Sequence, residues 1–248
     1  MKLVETDAIV IRSYIVAESD KIIVFFTRQN GLVSLVVKGA RRLKNRFGGR
    51  LEPFTALKIV YLQKEETELG YLQEAEIEES LFPLFVQPEV LSALSHFGEL
   101  VMVAIGTQDA NPVLYRMLLA CLLEIKKSNP NTQDLKWLVC YFELWLLKLT
   151  GYLPDLRICM KCRRSDAEVS GWYWNDGTPV CERCTIYNAS RLTSEQRFIW
   201  GRILKTSPNE FLQFASSREL DQKDFIKLIK SLTRRVFERE SVYWSNAA

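Results

Sequence analysis

Over the first third of the chain, apolar residues come in short runs or alternate with polar ones. Ala8–Val16, Lys21–Thr27 and Leu32–Lys38 are rich in Val, Ile and Phe, and Asn30-Gly31 between the last two is a hairpin signal. After a polar, glycine-containing interval come Ala56–Leu62 and Leu69–Glu78, the second alternating apolar and polar positions. Five short strands in about 80 residues predict a small closed β-barrel of the OB-fold type. Near Leu81 the texture changes. Pro83 and Pro88 punctuate the chain and the apolar period becomes helical, predicting helices over Glu89–Ile105, Pro112–Lys127 and Asp134–Thr150. The last has Leu135, Leu138, Val139, Phe142, Trp145, Leu146 and Leu149 on one stripe, with Gly151 and Pro154 as stop signals. After a compact interval over residues 157–191, Thr193 and Gln196 form a capping-box pattern ahead of Phe198, Ile199 and Trp200. A final helix is predicted from about Asp221 to Glu240, with Phe225, Ile226, Ile229, Leu232, Val236 and Phe237 as its apolar stripe. The fold class read from these patterns is α+β and multidomain. An OB-fold barrel occupies residues 1–80, and an all-α helical domain, interrupted by the insert at 157–191, occupies residues 81–248.

The insert carries the strongest chemical signal. Cys159-x2-Cys162 is followed, after 18 intervening residues, by Cys181-x2-Cys184. Each pair suits a tight knuckle that aims two thiolates at one ion, and two knuckles complete a tetrahedron around Zn²⁺. Four thiolates leave no open position for water, so the expected zinc finger holds one structural ion. The run Val169–Thr178 between the knuckles predicts a hairpin turning around Asn175–Gly177, with Trp172, Tyr173 and Trp174 as its small core or as a base-stacking platform. Arg163, Arg164 and Arg183 beside the knuckles suit either phosphate contact or a solvated rim. Cys121 and Cys140 lie alone in helical patterns and read as core filler.

Composition adds little until it is divided. The 248 residues are 48% apolar and 25% charged, ordinary for a globular protein, and the net charge is +3. Residues 38–50, however, read KGARRLKNRFGGR, with Lys38, Arg41, Arg42, Lys44, Arg46 and Arg50 and no acid, inside an N-terminal region whose net charge is zero. The compensating acids are chiefly Glu65, Glu66, Glu68, Glu74, Glu76, Glu78 and Glu79. Such a run, placed between the third and fourth strands where a loop can stand off a barrel, can follow a phosphate backbone. Phe47 within it can stack on an unpaired base or pack inward. On the last helix Lys223, Lys227, Lys230 and Arg234 recur at spacings of four, three and four, forming one basic face that is either solvated or a second patch for nucleic acid or an acidic partner.

Little points to catalysis. The single histidine, His96, sits beside Phe97 in a helical pattern and reads as a packed or surface residue. No HExxH, GxSxG, GxGxxG or GxxxxGK[ST] pattern occurs. A barrel with a four-cysteine module also resembles NAD-dependent DNA ligases, but their KxDG motif is absent. The start, MKLVETDAIV, places Glu5 and Asp7 where a secretory signal needs apolar residues, and Leu135–Leu153 is interrupted by Lys136, Glu143 and Lys148. A cytoplasmic protein with no membrane partner is therefore expected.

Phe26-Thr27 to Gly31 (FTRQNG), Val37–Arg42 (VKGARR) running on to Leu51–Thr55 (LEPFT), the helical region and the embedded CxxC…CxxC together resemble the RecO family of bacterial recombination mediators, in its zinc-containing branch. The resemblance implies an OB-fold that binds single- and double-stranded DNA and anneals complementary strands. It also implies partnership with RecR and with the C-terminal tail of single-stranded-DNA-binding protein (SSB), and, through them, loading of RecA onto coated strands. On this chain the family's basic barrel residues correspond to Lys38, Arg41, Arg42, Lys44, Arg46 and Arg50. From the residues alone, an RNA-binding OB–zinc protein and a protein-interaction scaffold remain alternatives.

Overall fold

The computed structural model describes residues 2–42, 45–63, 69–106, 109–165, 171–175, 177–187, 189–218 and 222–237. Five strands close into a barrel: β1 (Lys2–Ile15), β2 (Lys21–Thr27), β3 (Gly31–Val37), β4 (Ala56–Gln63) and β5 (Leu69–Glu79), in the order β1-β2-β3-β5-β4. β1 pairs antiparallel with both β2 and β4, which shuts the barrel, while β3 and β5 run parallel. This is the OB-fold connectivity expected from the sequence. β1 starts six residues earlier than the apolar run suggests, because its polar first half pairs with β4 from Lys2↔Gln63 onward. Its register shifts between Val10 and Arg12, and that bulge lets one long strand serve two neighbours. Inside, Val10, Ile23, Phe25, Leu35, Leu57, Ile59 and Tyr61 form the core.

Two helices, α1 (Pro88–Ala104) and α2 (Pro112–Ser128), belong with the barrel in a compact unit spanning residues 1–129. The change of texture at Leu81 therefore marks where strand gives way to helix, while the packing boundary falls after α2. The reason is apolar surface on the outside of the barrel: Phe26 of β2 meets Tyr115 of α2 with ring centres 5.9 Å apart. Phe54 is held in the left-handed region (φ 58°) by its N–H donating to the Val10 carbonyl at 2.7 Å. Its buried ring lies against Gly98 of α1, where an added Cβ would come within 3.2 Å of it. Gly31 closes the β2–β3 turn at φ +63°, and a Cβ there would come within 2.4 Å of the Asp109 carbonyl oxygen. No L side chain meets both demands.

The second unit, residues 130–248, packs α3 (Thr132–Leu149) with α4 (Ser194–Ile203), α5 (Pro208–Ser217) and α6 (Lys223–Phe237) around Trp137, whose ring meets Phe211 and Phe225 at 5.6 and 5.7 Å. Tyr141 Oη donates to the Thr206 carbonyl and Trp145 Nε1 to that of Ile203, tying α3 to the chain between α4 and α5. The Thr193–Gln196 capping box is formed with both its hydrogen bonds. α5 was not among the predicted helices, although Ser207, Pro208 and Glu210 spell a start signal for it and make a second capping box. The same unit contains a three-stranded sheet of β6 (Trp172–Asn175), β7 (Thr178–Cys181) and β8 (Ser190–Arg191), in the order β7-β6-β8.

Candidate functional site

The basic segment lies where its sequence position places it, between β3 and β4, but it does not stand off the barrel. Ala40, Phe47 and Leu51 turn inward and pack against the barrel core. Phe47 is only 4% exposed, so it is not the stacking face that the sequence allowed. Burying a phenyl ring that would otherwise lie on a polar loop is what holds the loop down. Around this plug the cations are arranged in two ways. Arg46 lies over the Phe47 ring, 4.6 Å from its centre, and donates to the carbonyls of Leu72 and Gln73 on β5. Arg50 donates to the Ala75 carbonyl at 3.3 Å. These two arginines strap the loop to β5 while remaining exposed.

Lys38, Arg41 and Arg42 are exposed at the other end of the loop, beside the β1–β2 turn. Arg41 donates from its backbone to the Ser19 carbonyl and from its guanidinium to that of Glu18. Gly39 N–H donates to the Asp20 carboxylate at 2.8 Å. That hydrogen bond, then one from Ser19 and the charges of Lys38 and Arg42, hold the Asp20 carboxyl below its ordinary range. Asp20 is thus the acid that organises the basic loop, and sequence reasoning missed it. Its signal was a lone carboxylate at a hairpin turn, which is common without any such role. Lys44 lies outside the described residues.

Two grooves flank the Arg46–Phe47 ledge. One, of about 500 Å³, is lined by Glu5, Glu74 and Glu76 together with Lys58, Arg46 and Arg50. The other, of about 480 Å³, is lined by Lys38, Arg46, Val36, Leu62 and Tyr71, with no acidic residue among its described lining. Glu74 and Glu76 of β5 thus lie on one side of the ledge, while Glu65, Glu66 and Glu68 lie outside the described residues.

On α6, Lys223, Lys227 and Arg234 are exposed and Lys230 is half-buried, so the basic stripe does share a face. Lys227 is ion-paired with Asp224 at 2.9 Å, so part of its charge is met locally.

The four cysteines of the insert converge, with their sulfurs all within 4.8 Å of one another. A tetrahedral thiolate site with metal–sulfur bonds of about 2.3 Å has sulfurs roughly 3.8 Å apart. Cys162 and Cys181 Sγ are separated by 3.6 Å, so the donor set fits a metal ion. The first knuckle is shaped by Arg163 at φ +65°, whose N–H donates to the Cys159 carbonyl, while Cys159 N–H donates to that of Arg164. Burial pushes the Cys159 thiol up, but hydrogen bonds from the N–H groups of Cys162, Cys181 and Lys161 outweigh it and hold it down at about 6. Hydrogen bonding to Cys162, burial and the other sulfurs push Cys184 up to about 12. Four thiols sharing one space resist a second negative charge unless a cation is present.

The hairpin between the knuckles forms as expected over its described residues, with Asp176 of its turn outside them. Trp172 and Trp174 are buried, and Trp174 meets Trp200 at 6.1 Å and donates to Ser231 of α6. They are packing residues rather than an open platform. Cys121 and Cys140 are fully buried, and burial raises both thiols. His96 is buried on α1. No helix among the described residues is long and apolar enough to cross a membrane.

Residues 1–81 match the family model described as Recombination protein O N terminal, and residues 87–195 match Recombination protein O C terminal. The chain is 32% identical over 203 residues to the DNA repair protein RecO of Koribacter versatilis, covering 82% of this chain and 79% of that protein. It is 27% identical over 241 residues to that of Thermodesulfovibrio yellowstonii (94% and 91%) and 29% identical over 217 residues to that of Bifidobacterium adolescentis (82% and 85%). The barrel, the helices and the cysteine insert are thus matched along most of their length, and the chain belongs to the RecO family.

Proposed function

We propose that this protein is a non-catalytic DNA-binding mediator of recombinational repair. It binds single- and double-stranded DNA, anneals complementary strands and, with RecR, helps load RecA onto strands coated with SSB, whose C-terminal tail it contacts. The observation that carries the DNA reading is the acid-free loop of Lys38, Arg41, Arg42, Arg46 and Arg50, strapped onto the barrel so that its cations are presented together. Annealing needs two polyanions brought close, and a basic surface that contacts phosphates neutralises their repulsion without reading sequence. A second contact to the coating protein raises the effective concentration of the two strands. The α6 stripe is a candidate for a further anionic contact.

The cysteine quartet holds one Zn²⁺ in this reading. A four-thiolate site supplies folding free energy and no reactive water, so its work is to fix the knuckles and the hairpin between them. The test is annealing of complementary strands coated with SSB, comparing wild type with a Lys38→Gln/Arg42→Gln/Lys44→Gln variant. Annealing lost in the variant supports the reading. Undiminished annealing, or a large preference for RNA over DNA at matched salt, opposes it.

A further inference from the structure

Strand pairing places Tyr14, Ile22, Val36, Tyr71 and Leu62 in one row across five strands, each the direct partner of the next. Directly paired residues share a face of the sheet. None of the five is buried: Tyr14 is 41% exposed and the other four are half-buried. The first and fourth members of this row, Tyr14 and Tyr71, are aromatic, and each carries a cation on its ring. Arg12 lies 5.4 Å from the centre of Tyr14, and Lys38 lies 5.6 Å from that of Tyr71. Val36, Tyr71 and Leu62 of the row themselves line the acid-free groove, together with Lys38 and Arg46.

We infer that this row is the contact surface for unpaired bases, with Tyr14 and Tyr71 as stacking platforms. The inference rests on the DNA reading above and deepens it: the loop cations take the phosphates, and the tyrosines give preference for single over double strands. Charge decides the occupant, since an apolar row edged by Arg12, Lys38 and Arg46 suits bases hung on a polyanion. Geometry sets the span. Three strand spacings separate the tyrosines, about 14 Å at ~4.8 Å each, so the two rings serve different nucleotides of one strand. The role sequence reasoning offered to Phe47 thus passes to rings that are accessible. Base–aromatic stacking tolerates any sequence, which suits a protein that must act on any strand.

The experiment compares wild type, Tyr14→Ala, Tyr71→Ala and both Tyr→Phe variants on three ligands of equal phosphate count: a mixed-sequence single strand, an abasic strand and a duplex. Each alanine variant is expected to lose about 5- to 150-fold in affinity for the base-bearing strand. The phenylalanine variants keep wild-type affinity, and none of the four changes abasic or duplex binding. Alanine variants that bind the base-bearing strand like wild type overturn the inference while leaving phosphate binding by the loop intact. Equal losses on all three ligands also overturn it, because that pattern means a damaged barrel. A wild-type protein that binds none of the ligands at low salt sinks the DNA reading itself.

Discussion

Arg46 covers the ring of Phe47 at 4.6 Å while the ring itself is buried in the barrel. One residue of the pair anchors the basic loop and the other joins its charged surface. Replacing Phe47 with Ala removes the plug and leaves a cavity, at a cost of about 3–5 kcal/mol. Chemical denaturation should show that loss, and Phe47→Leu should recover much of it. A Phe47→Ala protein as stable as wild type but weaker on single strands would mean that the ring acts on DNA directly.

The Asp20–Gly39 contact makes loop attachment dependent on pH. The folded carboxyl titrates below its ordinary value of 3.8, so its stabilisation is complete above that value and is lost as pH falls through the lower folded one. An Asp20→Asn variant should therefore be less stable than wild type at neutral pH, with the difference shrinking below about pH 4. Thermal denaturation of both proteins across that range checks it.

Gly31 and Gly48 both have positive φ, yet they should respond differently to alanine. At Gly31 the new methyl meets the Asp109 backbone, so backbone strain and overpacking together cost roughly 2–5 kcal/mol. At Gly48 nothing lies within 4 Å, and only the backbone cost of about 1–2 kcal/mol remains. Equal losses at the two positions would contradict the packing of the β2–β3 turn against residue 109.

Metal analysis of purified protein should give about one zinc per chain. Chelation should change the fluorescence of Trp172 and Trp174, which pack in the hairpin joining the knuckles. Acidification should release the ion, because protons compete for the thiolates. A fully folded protein free of metal would refute the structural role.

The barrel was largely legible because its strands are written in β-branched runs broken by turns. β2 occupies Lys21–Thr27 as expected, β3 is shifted from the expectation by one residue at both ends, and β4 and β5 each run one residue longer at their C-terminal end. Cysteine spacing likewise announced a site that the fold assembles. What could not be read depended on long-range partners. Phe47 sits in a basic, glycine-rich run, and only the barrel mouth explains its burial. The left-handed Phe54 has no local signal, since the contacts that hold it come from Val10 and Gly98. The row from Tyr14 to Leu62 is invisible along the chain because its members come from five different strands.

The central claim is that the strapped loop binds phosphates, and the salt dependence of single-strand affinity tests it most directly. If all six cations of the loop each meet one phosphate, the log–log slope should approach about −4. The Lys38→Gln/Arg42→Gln/Lys44→Gln variant keeps the Arg46 and Arg50 straps, and its slope should fall to about −2 with weaker binding throughout. An unchanged slope and affinity in that variant would contradict the account.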